Sequence, residues 1–175
     1  IQIFQKVTLF CRPMESIVNE ARLLRDRGVQ EIMLIAQDST DYGHDLGLKN
    51  GLAVLLNELV KAVPDVPWLR IMYAYPGYVT DELIETMATH HQIVNYLDIP
   101  LQHADRQTLL RMRRPANTEW VYNTLDKMRT AMPDLAIRTT FIVGYPGETD
   151  EEFATLEQFI KDLRMPSEKF RVAKY

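Results

Sequence analysis

The sequence predicts an α/β fold in which parallel strands alternate with helices, arranged as a partial (β/α) barrel. Compact apolar runs suited to strands begin near residues 31, 69, 95 and 136, with helical patterns between them. Those connections are long enough for right-handed crossovers between parallel strands. Each run also ends in a polar or Gly/Pro cluster: Gln37-Asp38, Tyr75-Pro76-Gly77, Gln102-His103 and Gly144-Tyr145-Pro146-Gly147-Glu148. A barrel would gather these four ends on one rim. A doubly wound sheet fits less well. Gly144-x-x-Gly147 lacks the G-x-G-x-x-G spacing, and it follows the last strand rather than the first.

Ile1 to Phe10 could form a strand but carries no turn or cap signal. Pro13 suits the first position of a helix, along which Ile17, Ala21 and Leu24 recur up to Arg27; Gly28 suits its end. Val29 to Ala36 reads as a strand, and the loop Asp41 to Asn50 follows. Gly51 to Val63 is a second helix with Leu52, Leu55, Leu56 and Leu59 on one face, stopped by Pro64 and Pro67. Trp68 to Tyr75 is the next strand. Thr80 then caps a helix over Asp81 to Ala88 with an acidic first turn.

Ile93 to Ile99 forms a third strand, and helices follow over about Asp105 to Arg113 and Thr118 to Ala131. Ile137 to Val143 is the fourth strand. It runs through a glycine turn into a helix, Glu151 to Leu163, that ends near Pro166. Thr149 and Glu152 have capping-box spacing at its start. No strand is expected after Leu163, and Met165 to Tyr175 matches no element.

A chain of 175 residues with 46% hydrophobic and 25% charged residues is expected to form one soluble domain over residues 1–175. The formal charge of −4 gives no basic footprint for a nucleic-acid backbone. No apolar run approaches the roughly 20 residues of a membrane span, and the mixed first ten residues do not read as a secretory signal. The single cysteine, Cys11, excludes an internal disulfide framework and a cysteine-rich metal site built from this chain alone. A cytoplasmic setting is expected.

The candidate site residues lie at the strand ends. Gln37 and Asp38 suit a ligand's ammonium or hydroxyls, although Asp38 could equally serve its own loop. Gln102 and His103 follow a strand interrupted by Asp98, whose carboxylate needs a partner or water if it points inward. His103 could be a general base or metal ligand, or simply bond to a neighbouring group. Arg138 and Thr139 point to opposite faces, and an inward Arg138 would seek an anion. Gly144 and Gly147 allow a sharp turn and close backbone approach; Glu148 could bind ligand or favour a helix N-terminus. Arg106, Arg111, Arg113 and Arg114 form the one concentrated basic patch, read as a solvated helix face. His90-His91 lacks the spacing of a metal site.

Four segments together resemble the radical S-adenosylmethionine methylthiotransferases. They are Arg12-Pro13-Met14-Glu15-Ser16, Ile35 to Gly43 (Ile-Ala-Gln-Asp-Ser-Thr-Asp-Tyr-Gly), Tyr96 to Ala104 (Tyr-Leu-Asp-Ile-Pro-Leu-Gln-His-Ala) and Thr140 to Thr149 (Thr-Phe-Ile-Val-Gly-Tyr-Pro-Gly-Glu-Thr). Gln37-Asp38 with Tyr42-Gly43, Tyr73-Ala74-Tyr75-Pro76 and Leu97 to His103 are most similar to the branch that modifies an aspartate on a small-subunit ribosomal protein (the RimO type). The tRNA-modifying branch is the runner-up, and a degenerate barrel that binds a ligand or partner without radical chemistry is the third reading. The resemblance covers residues of about 12–163 and leaves 1–11 and 164–175 unplaced.

The resemblance implies a partial barrel of the radical-SAM type, truncated at both ends, binding S-adenosylmethionine on its carboxyl rim. It implies cofactor contacts by Gln37, Asp38, Gln102 and the turn with Gly144, Gly147 and Glu148; His103 and Arg138 join the candidate cofactor-binding set from their places on the strands. Gln37 and Asp38 would meet the methionine part, Gln102 the ribose or carboxylate, and the glycine turn the adenine. It also implies [4Fe–4S] clusters in the full-length enzyme, with a ribosomal protein as its partner. The cluster cysteines expected before Arg12 are not found in Ile1 to Phe10, and Cys11 stands where a serine precedes Arg-Pro. No metal ligand is therefore assigned, and this chain is expected to be inactive alone.

Overall fold

Apolar side chains spaced two apart give a strand one face to bury, and the first four of five parallel strands turn buried residues toward a shared layer of helices. The computed structural model describes residues 10–75, 77–163 and 170–174. The elements are α1 (Met14–Asp26), β1 (Glu31–Leu34), α2 (Gly51–Ala62), β2 (Trp68–Ile71), α3 (Asp81–Thr89), β3 (Tyr96–Asp98), α4 (Arg106–Arg111), α5 (Thr118–Ala131), β4 (Ala136–Val143), α6 (Asp150–Asp162) and β5 (Phe170–Lys174). β1 pairs with β2, and β3 with β4 and then β5, all in parallel. A Leu69–Ile93 bridge and an Ala74 N–H to Asp98 carbonyl bond of 2.8 Å join the two groups.

Strand order therefore follows chain order, and α1 packs on α2, α2 on α3, and α3 on α5. Sequential order with neighbouring helices is the wall of a barrel; a doubly wound sheet reverses direction at a switch point. Among the described residues the wall stays open, with no pairing between β1 and β5.

β4 shows how the two faces divide. Ile137, Thr139 and Phe141 are buried, whereas Arg138, Thr140 and Ile142 between them are partly open. Phe141 meets Phe159 of α6 edge-on at 6.3 Å, so the buried row faces the helices. The helices answer with apolar stripes: Leu52, Leu55, Leu56 and Leu59 on α2, Leu83, Ile84 and Met87 on α3, Val121, Leu125 and Met128 on α5.

Local signals place the helix starts. The Thr80 hydroxyl accepts from Leu83 N–H, and Thr149 and Glu152 close a complete capping box. Pro13 stands one residue before α1, as its N-cap, rather than inside it.

The strands are shorter than their apolar runs. β3 covers three residues instead of seven, because Ile93 makes only an isolated bridge and Pro100 has no N–H to continue a ladder. The absence of a strand after Leu163 is corrected by β5, whose register sets Thr139 opposite Phe170 and Val143 opposite Lys174. Its sequence, Phe-Arg-Val-Ala-Lys, is short and charged, and only pairing with β4 organises it. The possible strand over Ile1 to Leu9, the helix end near Pro166, and Pro76 lie outside the described residues.

Replacing Phe141, which is 0% exposed, with Ala should lower stability by about 3–5 kcal/mol, read from the shift in a denaturant unfolding midpoint.

Candidate functional site

The open face of the sheet carries a row of charged and aromatic side chains. Glu31 of β1 pairs with Arg70 of β2, and the Arg70 guanidinium lies 4.8 Å from the Tyr96 ring centre on β3. Tyr96 in turn bonds to Arg138 of β4, whose Nη1 donates to Asp98 Oδ2 at 2.6 Å. Asp98 is only 5% exposed, so this partner offsets the cost of its buried charge. The Asp98 charge, with burial opposing it, holds Arg138 even more firmly protonated than a free guanidinium. Arg138 thus points to the open face and finds its anion within the protein. Sequence reasoning did not single out Glu31, Arg70 and Tyr96 as continuing the row. The signal was there in polar residues at every second position of apolar strands.

At the rim, the end of β1 is tied to the end of β2. Ser39 N–H donates to the Tyr73 carbonyl at 3.0 Å, and Thr40 Oγ1 accepts from Tyr75 N–H at 3.2 Å. Asp38 Oδ1 accepts from Thr40 N–H at 2.9 Å and from the Thr40 hydroxyl, so its carboxylate shapes the loop. Gln37 is exposed, with no side-chain partner among the described residues.

Two non-glycine residues at adjacent strand ends hold left-handed backbones: Tyr73 at φ 59° and Gln102 at φ 68°. Such conformations cost on the order of 1–3 kcal/mol and cluster at functional sites. Tyr73, 43% exposed, entered the sequence reading only within the segment Tyr73-Ala74-Tyr75-Pro76 and not as a site residue, because backbone strain leaves no mark on residue type. Gln102 bonds to β4 on both sides, from its N–H to the Thr140 carbonyl at 2.9 Å and from Ile142 N–H to its own carbonyl at 2.8 Å.

His103 and Glu148 are brought together 3.3 Å apart, both nearly sealed from water. Asp105 N–H donates to His103 Nδ1 at 3.0 Å, so Nδ1 is an acceptor and the ring proton sits on Nε2, facing Glu148 Oε1. The other Glu148 oxygen accepts from Tyr145 N–H at 2.9 Å. The pair therefore clamps the turn after β4 to the loop after β3. Gly144 and Gly147 have φ of 72° and 81°, and a Cβ on Gly147 would meet only Arg111 Nε at 3.9 Å. Conformation, more than space, requires glycine at 147.

Behind this turn Arg111 grips Glu152 with both ends of its guanidinium and donates to Thr108 Oγ1 at 2.9 Å. The Arg111 bond holds the Glu152 carboxyl down at about 2, against an ordinary 4.5. Arg106, Arg113 and Arg114 are exposed, as expected of a solvated face. His90 Nε2 lies 2.7 Å from Asn57 Oδ1.

Cys11 Sγ accepts from Gly43 N–H at 3.2 Å, and burial pushes its thiol further up from its usual value. Among the described residues no group of three or more His, Cys, Asp or Glu could hold a metal ion. No described helix is long and apolar enough to cross a membrane.

Comparison with known proteins adds to this geometry. The sequence model of the Radical SAM superfamily matches residues 9–160. The chain is 54% identical over 149 residues to the "Ribosomal protein uS12 methylthiotransferase RimO" of Roseiflexus castenholzii, covering 85% of this chain and 31% of that protein. It is 56% identical over 150 residues to the protein of that name from Herpetosiphon aurantiacus, covering 85% and 32%. The chain thus spans about a third of the length of these relatives.

Among solved structures, TsrM of Kitasatospora setae, a radical S-adenosylmethionine methyltransferase with cobalamin and a [4Fe-4S] cluster bound, superposes with a TM-score of 0.70 at 18% identity, over 93% of this chain and 31% of that one. Coproporphyrinogen III oxidase (HemN) of Escherichia coli, a radical SAM enzyme, gives 0.66 at 14% identity, over 96% and 39%. At such identities the likeness is one of fold.

Replacing Arg138 with Ala should cost about 1–3 kcal/mol, below a fully buried pair because the guanidinium is partly in water. The combined Asp98→Asn and Arg138→Gln change should recover part of that loss in the same unfolding experiment. Glu152 should titrate near 2 by carboxyl-carbon NMR and move back toward 4.5 in Arg111→Ala. Because the shift is downward, its contribution to stability is in place above the ordinary carboxyl range and is lost as pH falls toward 2.

Proposed function

The chain belongs to the radical SAM superfamily, and from that premise we propose that it is the cofactor-binding core of a methylthiotransferase acting on ribosomal protein uS12. The observation that carries the reading is identity of 54% and 56%, over 85% of this chain, to proteins bearing that name. We take the acceptor to be the β-carbon of an aspartate and the setting to be the cytoplasm. Because the chain spans only about a third of those relatives, the activity is assigned to the full-length protein.

The rim suits S-adenosylmethionine, which carries an ammonium, a carboxylate, ribose hydroxyls and an adenine. When bound, it supplies the hydrogen abstraction and the methyl group that methylthio transfer needs. Gln37 offers an amide without a partner among the described residues to the methionine part, with Asp38 fixing the loop that presents it. Gln102 offers its amide to the ribose or carboxylate. The turn from Gly144 to Glu148 lies against the adenine. His103 acts there through its bond to Glu148, and Arg138 through its pairing with Asp98 beneath the rim. The left-handed backbones of Tyr73 and Gln102 support a site at these strand ends.

A [4Fe–4S] cluster is a different matter. It takes several thiolates, and this chain has one cysteine, already bonded to Gly43. The residues of this chain do not fit that group. The alternative reading is a ligand-binding barrel without radical chemistry. Iron analysis after anaerobic reconstitution separates the two: the full-length protein should take up cluster iron in stoichiometric amount, and this chain alone should not.

In the full-length protein Gln102→Ala should weaken S-adenosylhomocysteine binding about tenfold, the loss of one good hydrogen bond. Unchanged affinity in equilibrium dialysis would remove Gln102 from the site.

A further inference from the structure

The turn after β4 is closed by its own residues. Glu148 N–H donates to the Tyr145 carbonyl at 2.8 Å, with Pro146 and Gly147 between them and Gly147 at φ 81°. Proline at the first central position and a left-handed glycine at the second are the signature of a type II turn. Tyr145 N–H donates back to Glu148 Oε2 at 2.9 Å. Tyr145 to Glu148 thus form a stiff unit whose corner, Pro146-Gly147, stays exposed. Gly144, at φ 72°, joins this unit to β4, and a glycine joint does not fix its tilt.

Contacts with the neighbouring stretch 103–111 supply what the joint lacks. His103 holds the unit at Glu148, a single point about which it could still pivot. Arg111, the last residue of α4, holds it on either side of that point. At the start, the Arg111 carbonyl accepts from the Tyr145 hydroxyl at 3.2 Å. Beyond the end, its guanidinium donates to both oxygens of Glu152, which caps α6 by accepting from Thr149 N–H at 3.1 Å. In between, Arg111 Nε lies 3.9 Å from where a Cβ on Gly147 would stand.

These contacts give direction as well as attraction. Two guanidinium nitrogens on one carboxylate fix the angle between the two planes, which a point charge does not. Thr108 locks the pair further, because its hydroxyl accepts from Arg111 Nη2 at 2.9 Å and donates to Glu152 Oε2 at 3.1 Å. The Glu152 side chain is only 14% exposed, so little water competes for it. The start of α6 and the turn before it are thereby tied to the end of α4.

We propose that Arg111 is a positioning residue for the cofactor site: by holding Tyr145 and Glu152, it sets the tilt of the glycine turn and hence the surface offered to the adenine. This rests on the reading above, in which that turn lies against the adenine. Arg111 acts through the turn, since its guanidinium is already committed to Glu152 and Thr108. Arg111→Ala releases the start of α6 and leaves His103 as the remaining side-chain anchor described here. The turn then pivots, and the adenine loses its fit while the amino-acid and ribose parts of the ligand keep theirs.

The test compares two ligands in the full-length protein by titration calorimetry, with unfolding midpoints alongside. One is S-adenosylhomocysteine; the other is S-ribosylhomocysteine, which keeps the amino-acid and ribose parts and lacks the base. Arg111→Ala should weaken the first about tenfold and leave the second within about twofold. Glu152→Gln keeps the capping box and loses the charged partner. It should show the same selective loss in smaller measure, and it keeps the test open if Arg111→Ala folds poorly. The double variant should bind no more weakly than Arg111→Ala, because both changes release one tether. Unchanged affinity for S-adenosylhomocysteine in Arg111→Ala, equal losses for both ligands, or losses that multiply in the double variant would each overturn the proposal. A wild type that binds both ligands equally would instead remove the adenine from the turn, and the role of Arg111 with it.

Discussion

The pairing of β4 with its two neighbours is the constraint on which the rest of this structure depends. Its eight residues are the longest strand described, and they serve β3 on one side and β5 on the other. One face of β4 anchors the helices through Phe141, and the other carries Arg138 to the open side. The turn at its end receives the clamp from His103 and Glu148. Because strand spacing and alternation are fixed by backbone geometry, each of these placements follows once β4 is in register.

Electrostatics on the open face follow the same logic. Glu31, Arg70, Tyr96, Arg138 and Asp98 come from four strands and meet only because the strands lie in chain order. Two acids answer two arginines, so the row carries little net charge into the barrel. Its value to the site is a polar floor whose geometry is settled before a ligand arrives. Two charges left without partners there would demand water or counter-ions.

Around the rim the polar residues divide by what they touch. His103, Glu148 and Asp38 spend their hydrogen-bonding groups on the loops themselves. Gln37 and Gln102 have no side-chain partner among the described residues. The first set gives the rim its shape. A sequence cannot separate the two, because the residue types are the same and only the partners differ.

Local rules made the element types, the caps at Thr80 and Thr149, and the one-sided apolar stripes of α2, α3 and α5 legible from the chain alone. These depend on residues a few positions apart. The amino-acid order also made the four strand ends and the superfamily legible, since glycine, proline and polar clusters mark where strands stop. The tertiary structure alone decided that β5 exists, that Arg138 is answered by Asp98, and that the Thr139 hydroxyl accepts the Leu101 N–H. Each of these joins residues roughly thirty or more positions apart, and a hydroxyl or a short charged strand gains its partner only when the sheet forms. The glycine turn after β4 shows both sides: its sequence announced a turn, and only the fold supplied the buried histidine that holds it.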